Sequence, residues 1–375
     1  MKRKLFFCCL FLAVSLALNA AAQTRTLNIY MQDYVRQPIH EEDGRFQFAL
    51  KNLKEKYSDV QVMLYSIGSL SPEDYQTALL DNAQEIDIIM LLNQNVQRFA
   101  DSGAVMPLND QPAIVEAVST WPPVAVSASD DGKLYAVPHW IKPTLCQINL
   151  PDVYKELKLD FSGGWRWDDL FAIKPALAAY NAEHDTSYEL VAHENALQQA
   201  IGQLAAIVSE GGILPDQSSV ENLLYNLKAL NDAVPESNAK AEPSSYLFEF
   251  RLVDARNTSS YLSMPMIAEE TGTSELSICS LMINANSDMT EEALEFLGFY
   301  ARPEALQASS EFISAGIYPA GTAADAPLKY VQAIKNGFPR DTSTSTYQTI
   351  IDAYRAFEDG SLSVKQAADS ILSAR

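Results

Sequence analysis

Two periods of apolar positions alternate along the chain. Leu27-Asn28-Ile29-Tyr30-Met31 is a short apolar run with β-favouring Ile and Tyr, and it predicts a buried strand. Phe46, Leu50, Leu53 and Tyr57 recur at helical spacing behind Asp43-Gly44. Val60 to Tyr65 predicts a second strand. Ser71-Pro72-Glu73-Asp74 opens a helix with an N-cap, a proline in the first turn and acids beside it. Ile86 to Leu92 predicts a third strand buried on both faces, followed by a helix through Phe99. Strands alternating with helices across short loops predict a parallel sheet covered by helices. Ligands bind beyond the carboxyl ends of such strands. That rule nominates Asp33 and Tyr34 after the first strand, Ser66 after the second, and Asn93, Gln94 and Asn95 after the third.

The stretch from Asp131 to Asn149 organises the rest. A turn at Asp131-Gly132 leads to a strand, Leu134 to Val137, which Pro138 is expected to interrupt because it lacks a backbone donor. His139, Trp140 and Lys142 follow, and a second strand runs from about Thr144 to Ile148. This reads as a hinge, with aromatic and cationic groups where the chain passes from one lobe to another. Beyond it helical patterns dominate: Trp167 to Tyr180, Glu194 to Ser209 and Ser219 to Leu230. Pro243 to Pro265 has weak periodicity and yields no assignment. Leu276 to Ile283 is strand-like, Glu291 to Tyr300 is an amphipathic helix, and Gly316 to Gly321 is a turn-rich break. Two helical patterns close the chain, about Thr344 to Phe357 and Ser363 to Leu372, the second opened by a Ser363/Gln366 capping box.

The amino terminus changes the picture. Lys2, Arg3 and Lys4 precede an apolar run from Leu5 to Leu18, and Ala20 and Ala22 give a small-x-small pattern before Gln23. Residues 1–22 therefore read as a signal peptide, too short in its apolar part to span a bilayer. An exported chain, periplasmic or at the cell surface, is expected. The remainder exceeds one ordinary core and suits two lobes of about 150–200 residues. The formal charge is −21, which disfavours nucleic acid and anionic membranes as partners. Beyond the signal only Cys146 and Cys279 remain, expected to be two buried thiols rather than a disulfide. His40-Glu41-Glu42-Asp43 reads as a solvated helix entry. No zinc-protease spacing, nucleophile elbow or phosphate loop is found, and neither metal nor cofactor is expected.

Five stretches, in order, resemble the family 1 extracellular solute-binding proteins of ABC transporters, the maltose-binding-protein-like group. They are Ile86 to Met90 with Phe99 to Leu108; Asp131 to Pro138 with Asn149; Trp165-Arg166-Trp167-Asp168-Asp169-Leu170; Ile283 to Ser287 through Leu297 and Arg302 to Ala305; and Tyr347 ahead of Gly360. The resemblance implies a periplasmic-binding-protein type II fold: two discontinuous α/β lobes joined by hinge strands, with the ligand cleft between them. It places lobe 1 at 23–138 plus 277–316 and lobe 2 at 139–276 plus 317–375. It implies a ligand bound by lobe closure, most often an oligosaccharide or sugar derivative, and a membrane ABC permease as partner of a monomer. Thr273-Ser274-Glu275 stands where the family commonly has glycines, and the lipid-attachment cysteine of many members is missing.

For such a ligand Trp140 and Tyr347 are the expected stacking residues, because a sugar ring has an apolar face. Asp33, Asn93, Gln94, Lys142 and Gln203 are polar candidates suited to hydroxyls. Lys142 can instead meet a ligand anion or a hinge carboxylate, and the internal ion pair is the favoured reading. His139 neighbours Trp140, and rough alignment with the family adds Tyr246 and Phe248. Trp165 and Trp167 read as structural. Two other readings stay open: a secreted carbohydrate-active enzyme using a carboxylate pair, and a ligand-sensing receptor component on the same fold.

Overall fold

The computed structural model describes residues 24–31, 44–66, 72–81, 86–92, 96–119, 121, 131–161, 163–209, 214–231, 245–253, 261–267, 274–308, 328–339 and 345–374. The signal segment, Asp33, Tyr34, Asn93, Gln94, Asn95, the His40 cluster and the Gly316 to Gly321 break lie outside them. The chain divides into two compact units: Met1–Leu91, Arg98–Val118 and Leu281–Ser310 form the first, and Leu92–Gln97, Ser119–Ser280 and Glu311–Arg375 the second.

In the first unit, β1 (Arg25–Met31) runs parallel to β2 (Val60–Ser66) on one side and to β3 (Ile88–Leu92) on the other. Leu27, Ile29 and Met31 face the core and are fully buried, so the period of two in the first apolar run translates directly into packing. Helices α1 (Gly44–Lys56), α2 (Pro72–Asp81), α3 (Val96–Asp101), whose Val96 and Gln97 count with the second unit, and α4 (Pro112–Val118) follow in sequence. The unit is completed from far downstream by α10 (Thr290–Ala301) and α11 (Pro303–Ala308). Phe46 of α1 meets Phe296 of α10 edge to face at 5.4 Å. Arg45 is buried with them: its Nε donates to the Tyr300 carbonyl at 2.7 Å and its guanidinium lies 3.9 Å from the Tyr300 ring centroid. Arg25 pairs with both Asp59 and Glu292, which ties the start of β1 to α10.

A polar knot sits inside this unit. Asp87 is 1 % exposed. Its carboxylate accepts the Asn28 backbone N–H at 2.7 Å and the Ser287 hydroxyl at 2.6 Å, while its carbonyl accepts the Asn284 N–H at 2.9 Å. Burial raises the Asp87 carboxyl above the usual carboxylate range, against the two hydrogen bonds that lower it; Asp288 and Glu292 add to the rise.

The second unit is built on β4 (Val137–Ile148), which pairs antiparallel with β5 (Phe248–Leu252) and with β6 (Tyr261–Leu262). β7 (Glu275–Ile283), of which Glu275 to Ser280 count with this unit and Leu281 to Ile283 with the first, is buried along its whole length and pairs parallel with β8 (Phe338–Pro339) at its start. Helices α5 (Pro151–Glu156), α6 (Trp167–Ala172), α7 (Lys174–His184), α8 (His193–Ser209), α9 (Gln217–Asn231), α12 (Leu328–Lys335), α13 (Ser345–Glu358) and α14 (Val364–Leu372) complete the described elements. Ser363 caps α14 as its sequence predicts, with Gln366 returning the bond.

Three expectations change. Pro138 does not end a strand: β4 is continuous through both Pro138 and Pro143, and the Pro143 carbonyl still accepts the Val253 N–H at 3.0 Å. The pattern from Trp167 to Tyr180 is two helices, because Pro175 enters the first turn of α7 and cannot donate backward into α6. The unassigned stretch from Pro243 to Pro265 carries β5 and β6, in which Phe248 and Phe250 turn to the core between more exposed Glu249 and Arg251.

Candidate functional site

Strand alternation divides β4 into two faces. Trp140, Lys142, Thr144 and Cys146 share one; His139, Ile141 and Leu145 share the other, where all three are buried. His139 and Trp140, adjacent in sequence, are thus set on opposite sides of the strand. On the Trp140 face, Thr144 and Cys146 are buried while Trp140 and Lys142 remain half-buried. The Lys142 Nζ lies 5.1 Å from the Trp140 ring centroid, within cation–π range. Lys142 also acts on β7: burial pushes the Cys279 thiol far up, and the Lys142 charge opposes that shift.

The other candidates in the second unit take different places. Gln203 is 1 % exposed and engaged at both ends of its amide: Oε1 accepts the Trp167 indole N–H at 3.0 Å and Nε2 donates to the Pro265 carbonyl at 3.0 Å. Phe248 is fully buried, 6.1 Å from Tyr154 and 5.5 Å from Trp165 by ring centroids, in an aromatic cluster that includes Phe161 stacked on Trp165. Tyr246 is half-buried and forms a backbone bridge to Glu189; burial first, and Glu189 second, push its hydroxyl's pKa up and so disfavour its ionisation. Tyr347 is half-buried against the unit's apolar core. Glu275, in the Thr273-Ser274-Glu275 departure from the family pattern, is buried and accepts from Gln199 Nε2 at 2.6 Å.

In the first unit Ser66 ends β2 opposite Met31. Beside it is a pair the sequence reading passed over. Tyr30 and Tyr65 stack at 4.7 Å, at matching positions near the carboxyl ends of β1 and β2, and Tyr65 is 37 % exposed. The signal was present: Tyr30 stands one residue before the end of its predicted strand and Tyr65 at the end of its own, in a sheet whose carboxyl ends are the expected ligand side. A groove of 640 Å³ between α1 and β2 is lined by Lys51, Lys54, Thr24 and Asp59 among others. It lies at the amino ends of these strands, the side opposite to the one on which parallel sheets bind ligands.

Among the described residues no group of three His, Cys, Asp or Glu is arranged to hold a metal ion, and no helix is long and apolar enough to cross a membrane. Mixed α/β elements in two units made of interleaved segments are the type II periplasmic binding protein architecture. The chain belongs to the bacterial extracellular solute-binding proteins, whose family model matches residues 29–307.

Solved structures agree on the fold. The GacH receptor of Streptomyces glaucescens, solved unliganded and with acarbose, is 15% identical with a TM-score of 0.62, over 94% of this chain and 97% of that one. An ABC transporter solute-binding protein from Agrobacterium vitis with bound D-mannitol is 14% identical with a TM-score of 0.58, over 93% and 96%. A family 1 protein from Bifidobacterium longum subsp. infantis is 14% identical with a TM-score of 0.61, over 94% and 99%. No curated protein matches the chain.

Proposed function

We propose that this solute-binding protein is exported, captures a carbohydrate and hands it to a membrane ABC permease. The observation that carries the carbohydrate reading is the half-buried indole of Trp140 with a polar cationic group beside it on β4. A flat aromatic covers the apolar face of a sugar ring, and neighbouring donors bond its hydroxyls. Acarbose and D-mannitol on structurally similar proteins support a polyhydroxylated ligand. The protein works as a monomer and makes no covalent change to the ligand; binding energy stabilises a closed arrangement of its lobes. We place the lobe limits at 23–138 plus 277–316 and 139–276 plus 317–375. Tyr347, Tyr246, Ser66 and the Tyr30–Tyr65 pair are the further proposed contacts, with Asp33, Tyr34, Asn93, Gln94 and Asn95.

A thermal-shift screen over sugars, polyols, polyamines and organic acids tests this reading, followed by calorimetry and small-angle scattering on each hit. Saccharide or polyol hits that compact the protein, and that weaken at least tenfold in Trp140→Ala, are expected. Tight binding confined to polyamines or to non-sugar organic acids would overturn it.

A further inference from the structure

We propose that the outer edge of β2 is a docking strand: an extended acidic segment of another polypeptide adds to it, its carboxylates at alternate positions meeting Lys51 and Lys54 of α1. The inference is independent of the carbohydrate reading. β2 ends the strand order of its sheet and pairs with β1 alone. The Arg25 N–H donates to the Asp59 carbonyl at 3.0 Å, and Arg25 stands opposite Val60. Bonding alternates along a strand, so Asp59, Gln61, Met63 and Tyr65 turn their backbone groups to β1. Val62 and Leu64 turn theirs outward, where they bond no other group among the described residues. The strand, Val60-Gln61-Val62-Met63-Leu64-Tyr65-Ser66, contains no charge and no proline, and Met63 and Tyr65 are 38 % and 37 % exposed. Charges and prolines are the usual protection of a sheet edge, because an open edge recruits further strands. An edge without either is suited to receive one.

The groove beside this edge gives the partner its chemistry. It lies wholly in the first unit and holds 640 Å³. Gln47, Leu50, Lys51 and Lys54 share one face of α1 and form one wall, with Val60, Gln61 and Val62 of β2 opposite. Lys51 and Lys54 are exposed and pair with no acid among the described residues. Asp59, the acid in the lining, is held by Arg25. The groove therefore has an excess of positive charge in a chain of formal charge −21. A strand laid beside β2 sends alternate side chains toward α1 and the rest to the opposite face, where Met63 and Tyr65 stand. Carboxylates on the first set match the two lysines, and apolar groups on the second match Met63 and Tyr65. In strand addition the main-chain bonds supply affinity and the alternate side chains supply specificity. The place of the groove at the amino ends of the strands keeps such a partner clear of the ligand side of the sheet.

The test uses the mature protein and synthetic peptides: one alternating glutamate with valine, one alternating lysine with valine, and two forms of the first N-methylated at its valines or at its glutamates. Amide exchange followed by NMR reads the edge residue by residue. The glutamate–valine peptide is expected to slow exchange at Val62 and Leu64, while Gln61 and Met63, already bonded to β1, change little. Calorimetry should place it at least about tenfold tighter than the lysine–valine peptide, the range of a hydrogen bond to a charged group. Methylation removes one alternate set of donors, so at least one methylated form should lose binding. Lys51→Glu combined with Lys54→Glu should reverse the charge preference. Val62→Pro should abolish binding, since edge strands tolerate a proline whose N–H would face solvent. Exchange at Val62 and Leu64 that no peptide slows, equal binding of both charge types, or undiminished binding of both methylated forms overturns the proposal. So does slowing at these amides as the concentration of the protein alone rises, which gives the edge to a second copy. The exchange readings on the wild-type protein decide the matter where a variant folds poorly.

Discussion

The indole N–H of Trp167 donates to Gln203 Oε1 at 3.0 Å, so a buried amide of α8 closes an internal bond between α6 and α8. Its Nε2 binds the Pro265 carbonyl in the same buried space. Gln203→Leu strands a donor and an acceptor, each at about 1–3 kcal/mol. A loss of roughly 2–4 kcal/mol in urea denaturation is expected, with sugar affinity of the folded protein unchanged. A stable variant with impaired binding would instead return Gln203 to the ligand.

Asp87 gives the first unit a pH dependence of definite sign. Its folded-state carboxyl is raised above its unfolded value, chiefly by burial. The folded state therefore takes up the proton more readily than the unfolded one. The resulting stabilisation is full below the ordinary aspartate range near pH 4 and is lost as pH rises through the raised value. Asp87→Asn can still accept from Asn28 and bond Ser287. Its denaturation free energy should lack this component, so wild type minus variant should grow on acidification from about pH 7 to about pH 5. A difference that is flat or of opposite slope contradicts this account.

Gly337 joins α12 to β8 where a side chain has no room. An added Cβ would stand 2.6 Å from the Ala333 carbonyl oxygen and 2.6 Å from Leu276 carbons. Backbone cannot yield as a flexible side-chain end does. Gly337→Ala should lower stability by about 1–3 kcal/mol, the range for overpacked sites, measured by thermal melting. Trimming Leu276 as well should recover only part of it.

The two thiols should be silent until the chain unfolds. Cys146 and Cys279 are free and fully buried, and burial raises both far above the ordinary thiol range. Since thiolate is the reactive form, a disulfide reagent should label neither in the native protein at neutral pH and both after denaturation without reductant. One or none in denaturant would mean an oxidised or blocked sulfur.

Exchanging Arg45 for lysine tests a planar contact. The guanidinium lies on the Tyr300 ring and bonds the Tyr300 carbonyl from the buried side of α1. Lysine keeps the charge but not the flat stacking or the geometry of the Nε donor. A loss of about 1–3 kcal/mol is expected on denaturation, with Arg45→Met no better.

Some elements are visible in sequence because one physical effect governs them. Leu27, Ile29 and Met31 alternate toward one core, and Ile88 to Leu91 are buried on both faces, so hydrophobicity alone locates those strands. β4 and the α6–α7 break are harder, since a proline inside a pattern can end an element or sit in it, and only neighbouring strands decide which. The i, i+2 spacing of Trp140 and Lys142 places them on one face as soon as β4 is a strand. Gln203 was obscured for the opposite reason: an amide looks alike in sequence whether its partners are ligand hydroxyls or the distant Trp167 and Pro265.

The order of segments in the first unit has a bearing on how the molecule is made. Its α1 rests on Phe296 and Tyr300 of α10, so the earliest third of the chain lacks its own packing partner until nearly the whole polypeptide has emerged. Domains fold as units during synthesis. This one is therefore held unfinished through most of its passage from the ribosome, a delay in keeping with the export proposed above.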